Sequence, residues 1–244
     1  MDPFLGSGTS LQGITELDID IKFIGVELNQ MPLAYANFNV NPPAIKDLIN
    51  IKEDFIDFYN KNKNFYEFRS EKDEIYELEK VILDLPNNKV EVKSFNFKDS
   101  NSKTFTIDRK NLNLFNYYKN IYLNKSNQVK KNIKKDLLLD ENSRIAIKSQ
   151  MYISHLYGPI SFYLLQKIFD KFKENELFKV VISSILHLTK YTDLRSQSQF
   201  PYWFPKKNAM ERNILILILK KIKSLIKKNK IFNKKISKKK NFIS

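Results

Sequence analysis

Four of the chain's five glycines, Gly6, Gly8, Gly13 and Gly25, fall within its first 25 residues, and Gly158 alone serves the rest. Glycine is the residue of tight turns and of backbone that must pass close to a ligand. A glycine-poor chain that gathers its glycines at one end therefore carries a loop there. Around that loop, Met1–Phe4 reads as the last step of a strand, Leu5–Ser10 as a Gly/Ser turn and Leu11–Leu17 as a helix. Lys22–Leu28 then reads as a buried strand and Pro32–Phe38 as a helix with proline at its start. A strand, a glycine loop, a helix, a strand and a helix form the opening of a doubly wound α/β sheet.

Composition narrows the classes that remain. The 244 residues are 42% hydrophobic and 13% aromatic, enough apolar surface to build a core. The longest apolar run, Ile214–Leu219, is far short of the 18 or so residues that span a bilayer. Asp2, Pro3 and Gly6 stand where a secretory signal needs a basic residue followed by an apolar run. With no cysteine there are no disulfides, thiolate metal sites or thiol nucleophiles, and two histidines are too few for a histidine-built metal centre. The expectation is a soluble, cytoplasmic chain with no membrane span and no metal.

The net charge of +15 is unevenly spread. From Pro205 to Ser244 there are 13 lysines and Arg212 against Glu211 alone, a net of +13. Two readings stay open. Such a segment can contact nucleic-acid phosphates, but Lys, Asn and Ile are over-used throughout and arginine is scarce, as coding bias toward A and T produces.

Along the chain, Ile45, Leu48, Ile49, Phe55 and Phe58 mark a helical face, and Ile75–Leu85 continues in kind. Lys89–Phe97 and Thr104–Asp108 read as a hairpin about the polar turn Lys98–Lys103. Residues 111–140 read as helix in pieces, and Ile145–Tyr191 as helix broken at Gly158-Pro159. A last helix follows Pro205, with Leu215, Ile218, Leu219, Ile222, Leu225 and Ile226 on one face and lysines on the other. From about Asn229 a disordered basic tail is expected. The segments are thus 1–44, a partial α/β cofactor segment; 45–204, a mainly helical insertion with a hairpin; and 205–244, a basic amphipathic helix and tail.

Residues 2–10 read Asp-Pro-Phe-Leu-Gly-Ser-Gly-Thr-Ser. A strand ends at Asp2, Pro3 turns the chain, and Gly6 and Gly8 let the backbone pass beneath a ligand without a Cβ in the way. Thr9 or Ser10 then opens a helix whose free N–H groups and positive end face that ligand. Nineteen residues beyond Gly8 stands Glu27, at the end of the second strand. An acid at that place accepts hydrogen bonds from both ribose hydroxyls. The pocket suits an adenosine-bearing cofactor. A nicotinamide site would want a third glycine where Leu11 stands.

The string DPFLGSGTS followed by GVELNQMPLAYA closely resembles the S-adenosyl-L-methionine motifs of the DNA amino-methyltransferases that modify adenine N6 or cytosine N4. Asp2, Pro3, Phe4, Gly6, Ser7, Gly8 and Thr9 match the first motif, and Gly25, Val26, Glu27, Leu28 and Asn29 the second; Ser10 and Gln30 depart mildly from it. The strong resemblance covers about residues 1–40, with a weaker echo at Tyr202-Trp203-Phe204-Pro205. It implies a Rossmann-like fold, S-adenosyl-L-methionine as cofactor, double-stranded DNA as substrate and a place in a bacterial restriction–modification system. The cofactor would be held by Asp2, Pro3, Phe4, Gly6, Ser7, Gly8 and Thr9 at its amino-acid end and by Glu27 at the ribose, with Asn29 a further cofactor-binding residue.

The family's catalytic loop is Asp, Asn or Ser, then Pro-Pro-aromatic, where the polar residue and a proline carbonyl hold the amine of a flipped base. Here Asn41-Pro42-Pro43-Ala44 lacks the aromatic and follows the helix behind Glu27, too early for that loop. Phe200-Pro201-Tyr202-Trp203 has one proline and no leading polar residue. No catalytic residue is assigned. The chain also begins one residue before Asp2, so the expectation is the middle of a larger enzyme: a gene fragment, a split enzyme with a second polypeptide carrying the catalytic loop, or a truncated remnant. The alternative is a non-catalytic cofactor- or DNA-binding subunit.

Other residues carry plainer readings. His155 and His187 read as core or rim histidines; Asp193 and Arg195 as a solvated polar turn over Thr192–Gln199; Tyr202, Trp203 and Phe204 as core packing; and Glu71–Glu79 as a solvated helix face.

Overall fold

A computed structural model describes residues 24, 32–34, 36–37, 43–84, 91–134, 153–190, 192–197, 200–205 and 209–240. Contacts divide the chain into two units, residues 59–171 with 186–217, and residues 1–58 with 172–185 and 218–244. In chain order the elements are α1 (Ile45–Asn62), β1 (Glu67–Arg69), β2 (Ile75–Asp84), β3 (Glu91–Lys98), β4 (Thr104–Asp108), α2 (Leu112–Lys130), α3 (Pro159–Phe172), α4 (Glu176–Thr189), β5 (Thr192–Gln197), β6 (Phe200–Pro205), β7 (Ala209–Arg212) and α5 (Ile214–Lys240).

The first unit is built on a five-stranded sheet ordered β4-β3-β2, with β1 and β7 end to end along the far edge of β2. β1 pairs with Ile75–Glu77 and β7 with Lys80–Leu83, and every pairing is antiparallel. The chain is therefore α/β with an antiparallel sheet, and the strands of the doubly wound segment expected at the N-terminus, Met1–Phe4 and Lys22–Leu28, lie outside the described residues but for Ile24. Within residues 45–204 one stretch departs from the helix its periodicity suggested. Ile75–Leu85, expected as helix, is largely β2, and Glu71–Glu79 is a turn running into that strand.

The hairpin expected around Lys98–Lys103 is β3–β4, in register from Ser94↔Asp108 to Lys98↔Thr104. Its turn and the β1–β2 turn are built alike. The Asp99 N–H reaches the Lys103 carbonyl (3.0 Å) and the Ser102 N–H the Asp99 carbonyl (3.0 Å). Likewise the Ser70 N–H reaches the Glu74 carbonyl (2.8 Å) and the Asp73 N–H the Ser70 carbonyl (3.0 Å). Such turns need one left-handed residue, normally glycine. This chain uses Asp73 (φ 62°) and Ser102 (φ 66°) instead.

α2 covers the sheet. Asn111 caps it, its side-chain oxygen accepting from the Leu114 N–H (3.3 Å), and Phe115, Tyr118, Tyr122, Ser126 and Val129 form its buried stripe. Phe115 and Tyr122 meet Phe95, and Tyr118 meets Phe97 and Phe68, with ring centroids 4.8–6.3 Å apart. β5 and β6 form a separate two-stranded hairpin, so residues 192–197 are strand rather than a polar turn.

In the second unit α1 buries Leu48, Ile51, Phe55 and Phe58, and α4 buries Phe178, Val181 and Ile185. Phe172 and Phe178 stack with centroids 4.1 Å apart, and Phe55 lies 5.6 Å from Phe178. α5 begins after β7 rather than directly after Pro205, and its backbone runs to Lys240 rather than dissolving near Asn229.

Candidate functional site

The sequence-predicted cofactor residues, Asp2, Pro3, Phe4, Gly6, Ser7, Gly8, Thr9, Glu27 and Asn29, lie outside the described residues, as does Asn41. Nearby, residues 32–34 and 36–37 are helical, within the helix expected over Pro32–Phe38, and Ala36 is buried. Tyr202, Trp203 and Phe204 belong to β6, and Asp193 and Arg195 to β5. His187 is exposed in the last turn of α4, at the rim rather than in the core.

The most concentrated chemistry among the described residues lies where β7 meets the start of α3. Glu211 is 1% exposed. Strand alternation turns Ala209 and Glu211 inward, and the carboxylate meets the N-terminus of α3, whose first N–H groups have no partner in their own helix. Ser161 donates its backbone N–H to Glu211 Oε1 at 2.7 Å, the Ile160 N–H adds a second bond, and the Tyr122 hydroxyl donates to Oε2. Burial raises the Glu211 carboxyl above its ordinary value, and the bonds from Tyr122 and Ser161 pull against that rise. Pro159 occupies the first helical position, where a missing N–H costs nothing.

Gly158 explains how the carboxylate gets so close. A Cβ on that residue would overlap Cδ, Cγ and Oε2 of Glu211. Sequence reasoning missed this pair, although the solitary late glycine directly before a proline was its signal. Around it, the Ser161 hydroxyl donates to the Arg212 carbonyl (2.9 Å), and the Tyr66 hydroxyl lies 3.1 Å from Ser161 Oγ. Burial and the Glu211 charge raise the Tyr66 phenol. Asn213 closes the cluster. Its Oδ1 caps α5 through the Leu215 and Ile216 N–H groups (3.1 and 3.2 Å), and its Nδ2 donates to the Leu78 carbonyl (3.0 Å). Every oxygen and nitrogen named here serves the backbone or another side chain. The arrangement joins α3, α5, β2 and β7 and presents no open nucleophile or general base.

Lys125 forms a second centre. Its ammonium donates to the carbonyls of Asn64 (2.6 Å), Phe65 (3.4 Å) and Glu67 (2.5 Å) and sits 4.5 Å over the Phe68 ring. Burial pulls this lysine down to about 8, against the opposing charge of Glu67. It ties the chain end that follows α1 to α2, a structural cation.

A shallow open groove of about 350 Å³ is lined by Asp84, Glu91, Lys93, Asp108, Arg109 and Lys110. Its charges cancel, with Lys93 2.9 Å from Asp84 and Arg109 3.5 Å from Glu91. Among the described residues, no group of His, Asp and Glu is placed to hold a metal ion, and no helix is long and apolar enough to cross a membrane. The described lysines of α5 are a different matter: Lys220, Lys223, Lys227, Lys228 and Lys230 are exposed, and Lys221 is half-buried. No family model, curated protein or solved structure matches this chain.

Proposed function

We propose that residues 2–29 bind S-adenosyl-L-methionine, and that the chain is the cofactor-binding part of a DNA amino-methyltransferase acting on the exocyclic amine of adenine or cytosine. One observation carries this reading: DPFLGSGTS followed, nineteen residues after Gly8, by Glu27 in GVELN. The donor set suits the ligand chemically. Gly6 and Gly8 would leave room for backbone beneath it, Thr9 or Ser10 would open a helix with free N–H groups, and Asp2 to Thr9 would cradle its amino-acid end while the Glu27 carboxylate would accept from the ribose hydroxyls. The cofactor supplies an electrophilic methyl group when bound. The partially doubly wound, Rossmann-like segment over residues 1–44 belongs to the same proposal.

Binding is tested by titrating the purified chain with S-adenosyl-L-methionine in a calorimeter. Glu27→Ala and Gly8→Val should each weaken binding at least about tenfold, a loss of about 1.4 kcal/mol or more. A chain that takes up no cofactor at about 1 mM overturns the reading.

A second reading is favoured by a specific absence. Asn41-Pro42-Pro43-Ala44 has no aromatic to stack on a flipped base, and no Asp/Asn/Ser-Pro-Pro-aromatic string occurs elsewhere in the 244 residues. On this reading these 244 residues bind cofactor or DNA without transferring methyl groups. Purified chain incubated with tritiated cofactor and duplex DNA should leave the DNA unlabelled; labelling would return Asn41 as the amine ligand.

A further inference from the structure

Helix α5 divides its two faces unequally. Ile218, Ile222 and Leu225 are buried, and Asn229 continues the row, its side-chain amide donating to the Pro43 carbonyl. Lys220, Lys223, Lys227 and Lys230 are exposed. At about 100° per residue they fall within an arc of about 80° on the side away from the buried row. Over Ile214–Lys240 the helix carries eleven lysines and no Asp or Glu.

Nothing described neutralises this face. Away from α5, four described lysines are paired, Lys63 with Glu67, Lys93 with Asp84, Lys134 with Asp170 and Lys179 with Glu176, and acidic residues are interspersed with the others. None of the ion pairs among the described residues uses a lysine of α5. Lys221 is held below its ordinary value by burial and then by the charge of Lys228 two turns away. A concentrated, unpaired positive face calls for a polyanion.

Two polyanions differ in what they ask of a helix. A lipid surface takes an interfacial helix by its apolar side, with the basic residues flanking. Here Ile218, Ile222 and Leu225 are already buried, and the exposed side from Lys220 to Lys230 consists of lysines and Ser224, with Leu219 and Ile226 half-buried beside it. A nucleic-acid backbone needs only those charges. Lysine is a compact point charge, without the planar fork that arginine uses to read guanine. From Lys220 to Lys230 the helix rises about 15 Å, a length over which a duplex presents about nine phosphate charges.

We propose that Lys220, Lys223, Lys227 and Lys230 form a binding surface for the phosphate backbone of duplex nucleic acid, independent of its sequence. The surface stands on the helix itself and holds whether or not residues 2–29 take a cofactor.

The test is fluorescence anisotropy of the full chain with labelled DNA duplexes of two unrelated sequences, across a potassium chloride series. Both duplexes should bind alike. Lys223→Gln, Lys227→Gln and Lys230→Gln together should flatten the slope of log affinity against log salt by about 2 to 3, and weaken low-salt binding at least about tenfold. Arginine at the same three positions should retain binding. A control that loses the same charge elsewhere, Lys61→Gln with Lys72→Gln and Lys103→Gln, should stay within about twofold of the parent. Equal losses in the two glutamine variants, failure of the arginine variant, strong preference for one duplex, or binding to phosphatidylglycerol vesicles without binding to duplex would each overturn the proposal.

Discussion

In the unit containing α1, α4 and the body of α5, the buried aromatics are phenylalanines: Phe55, Phe58, Phe172 and Phe178 in mutual contact. In the sheet unit the buried rings include Tyr66, Tyr118 and Tyr122, and the core also encloses Glu211, Ser161 and Asn213. The first core is held chiefly by burial, which is strong and non-directional, with the Asn229 bond to the Pro43 carbonyl as its directional contact. The second spends part of its interior on polar groups that stabilise little in net terms but are costly to leave unpaired. Phenylalanines can slide past one another; a carboxylate bonded to Ser161 and Tyr122 fixes how α2, α3 and β7 meet.

The largest effect separating the two cores is a cavity. Phe178→Ala removes a fully buried ring that touches Phe55 and Phe172, and should cost about 4 kcal/mol in urea unfolding. Phe178→Leu should recover most of that, because a dry core accepts another apolar shape of similar size. If leucine were as damaging as alanine, this core would depend on specific geometry and the contrast would fail.

In the polar core the corresponding damage comes from orphaned partners. Glu211→Ala strands the Ser161 N–H and the Tyr122 hydroxyl and should cost about 3 kcal/mol. Gly158→Ala should cost about 2 kcal/mol by overpacking. The double variant is the sharper measurement. The nearest atoms to the new methyl all belong to the Glu211 side chain, so in the Glu211→Ala background Gly158→Ala should be close to neutral. Additive costs would mean that something other than the carboxylate requires the glycine.

The sheet unit should respond to pH through two of its groups, Glu211 and Lys125. Burial raises Glu211 above the ordinary 4.5, so the folded chain keeps a proton that the unfolded chain has already released. Its contribution is full below pH 4.5 and is lost as pH rises through the folded value. Lys125 acts in the opposite sense. Depressed from 10.5 to about 8, it loses its proton first in the folded chain, so stability climbs between pH 8 and 10.5. Urea midpoints across pH should show both slopes, with Glu211→Gln flattening the acid one and Lys125→Met the alkaline one. An unchanged profile in both variants would detach these groups from the stability of the sheet unit.

The sheet was also where sequence reading fared unevenly. The β3–β4 hairpin was legible because alternating residues bracket a polar turn. β2 was not: Leu78, Val81 and Leu83 are its buried residues, and the register shifts between Leu78 and Lys80 and again between Ile82 and Leu83. Those irregularities break the two-residue period and leave a three-residue gap that imitates a helix. Glu211 was hidden differently, as a single acid in a lysine-rich stretch, and only its contact with Gly158 distinguishes it. For α5, the apolar stripe through Ile222 and Leu225 was readable, while the charge density beyond Asn229 suggested disorder where the backbone stays helical. The cofactor motif at residues 2–29 rests on the sequence alone.

The smallest effect probes the strain in the sheet's turns. Asp73 and Ser102 are the described non-glycine residues at positive φ, and both lie in the sheet unit. Aspartate tolerates the left-handed region better than serine, because its carboxylate can bond nearby backbone. Ser102→Gly removes the Cβ clash at the price of a more flexible unfolded chain, and the two terms leave a gain of about 1 kcal/mol. Asp73→Gly should gain less, since its side chain also lies 3.1 Å from Arg69. Thermal unfolding of the two variants should therefore rank Ser102→Gly above Asp73→Gly and both above the parent. The reverse order would mean that the Arg69–Asp73 pair contributes nothing and that Ser102 sits in its turn without strain.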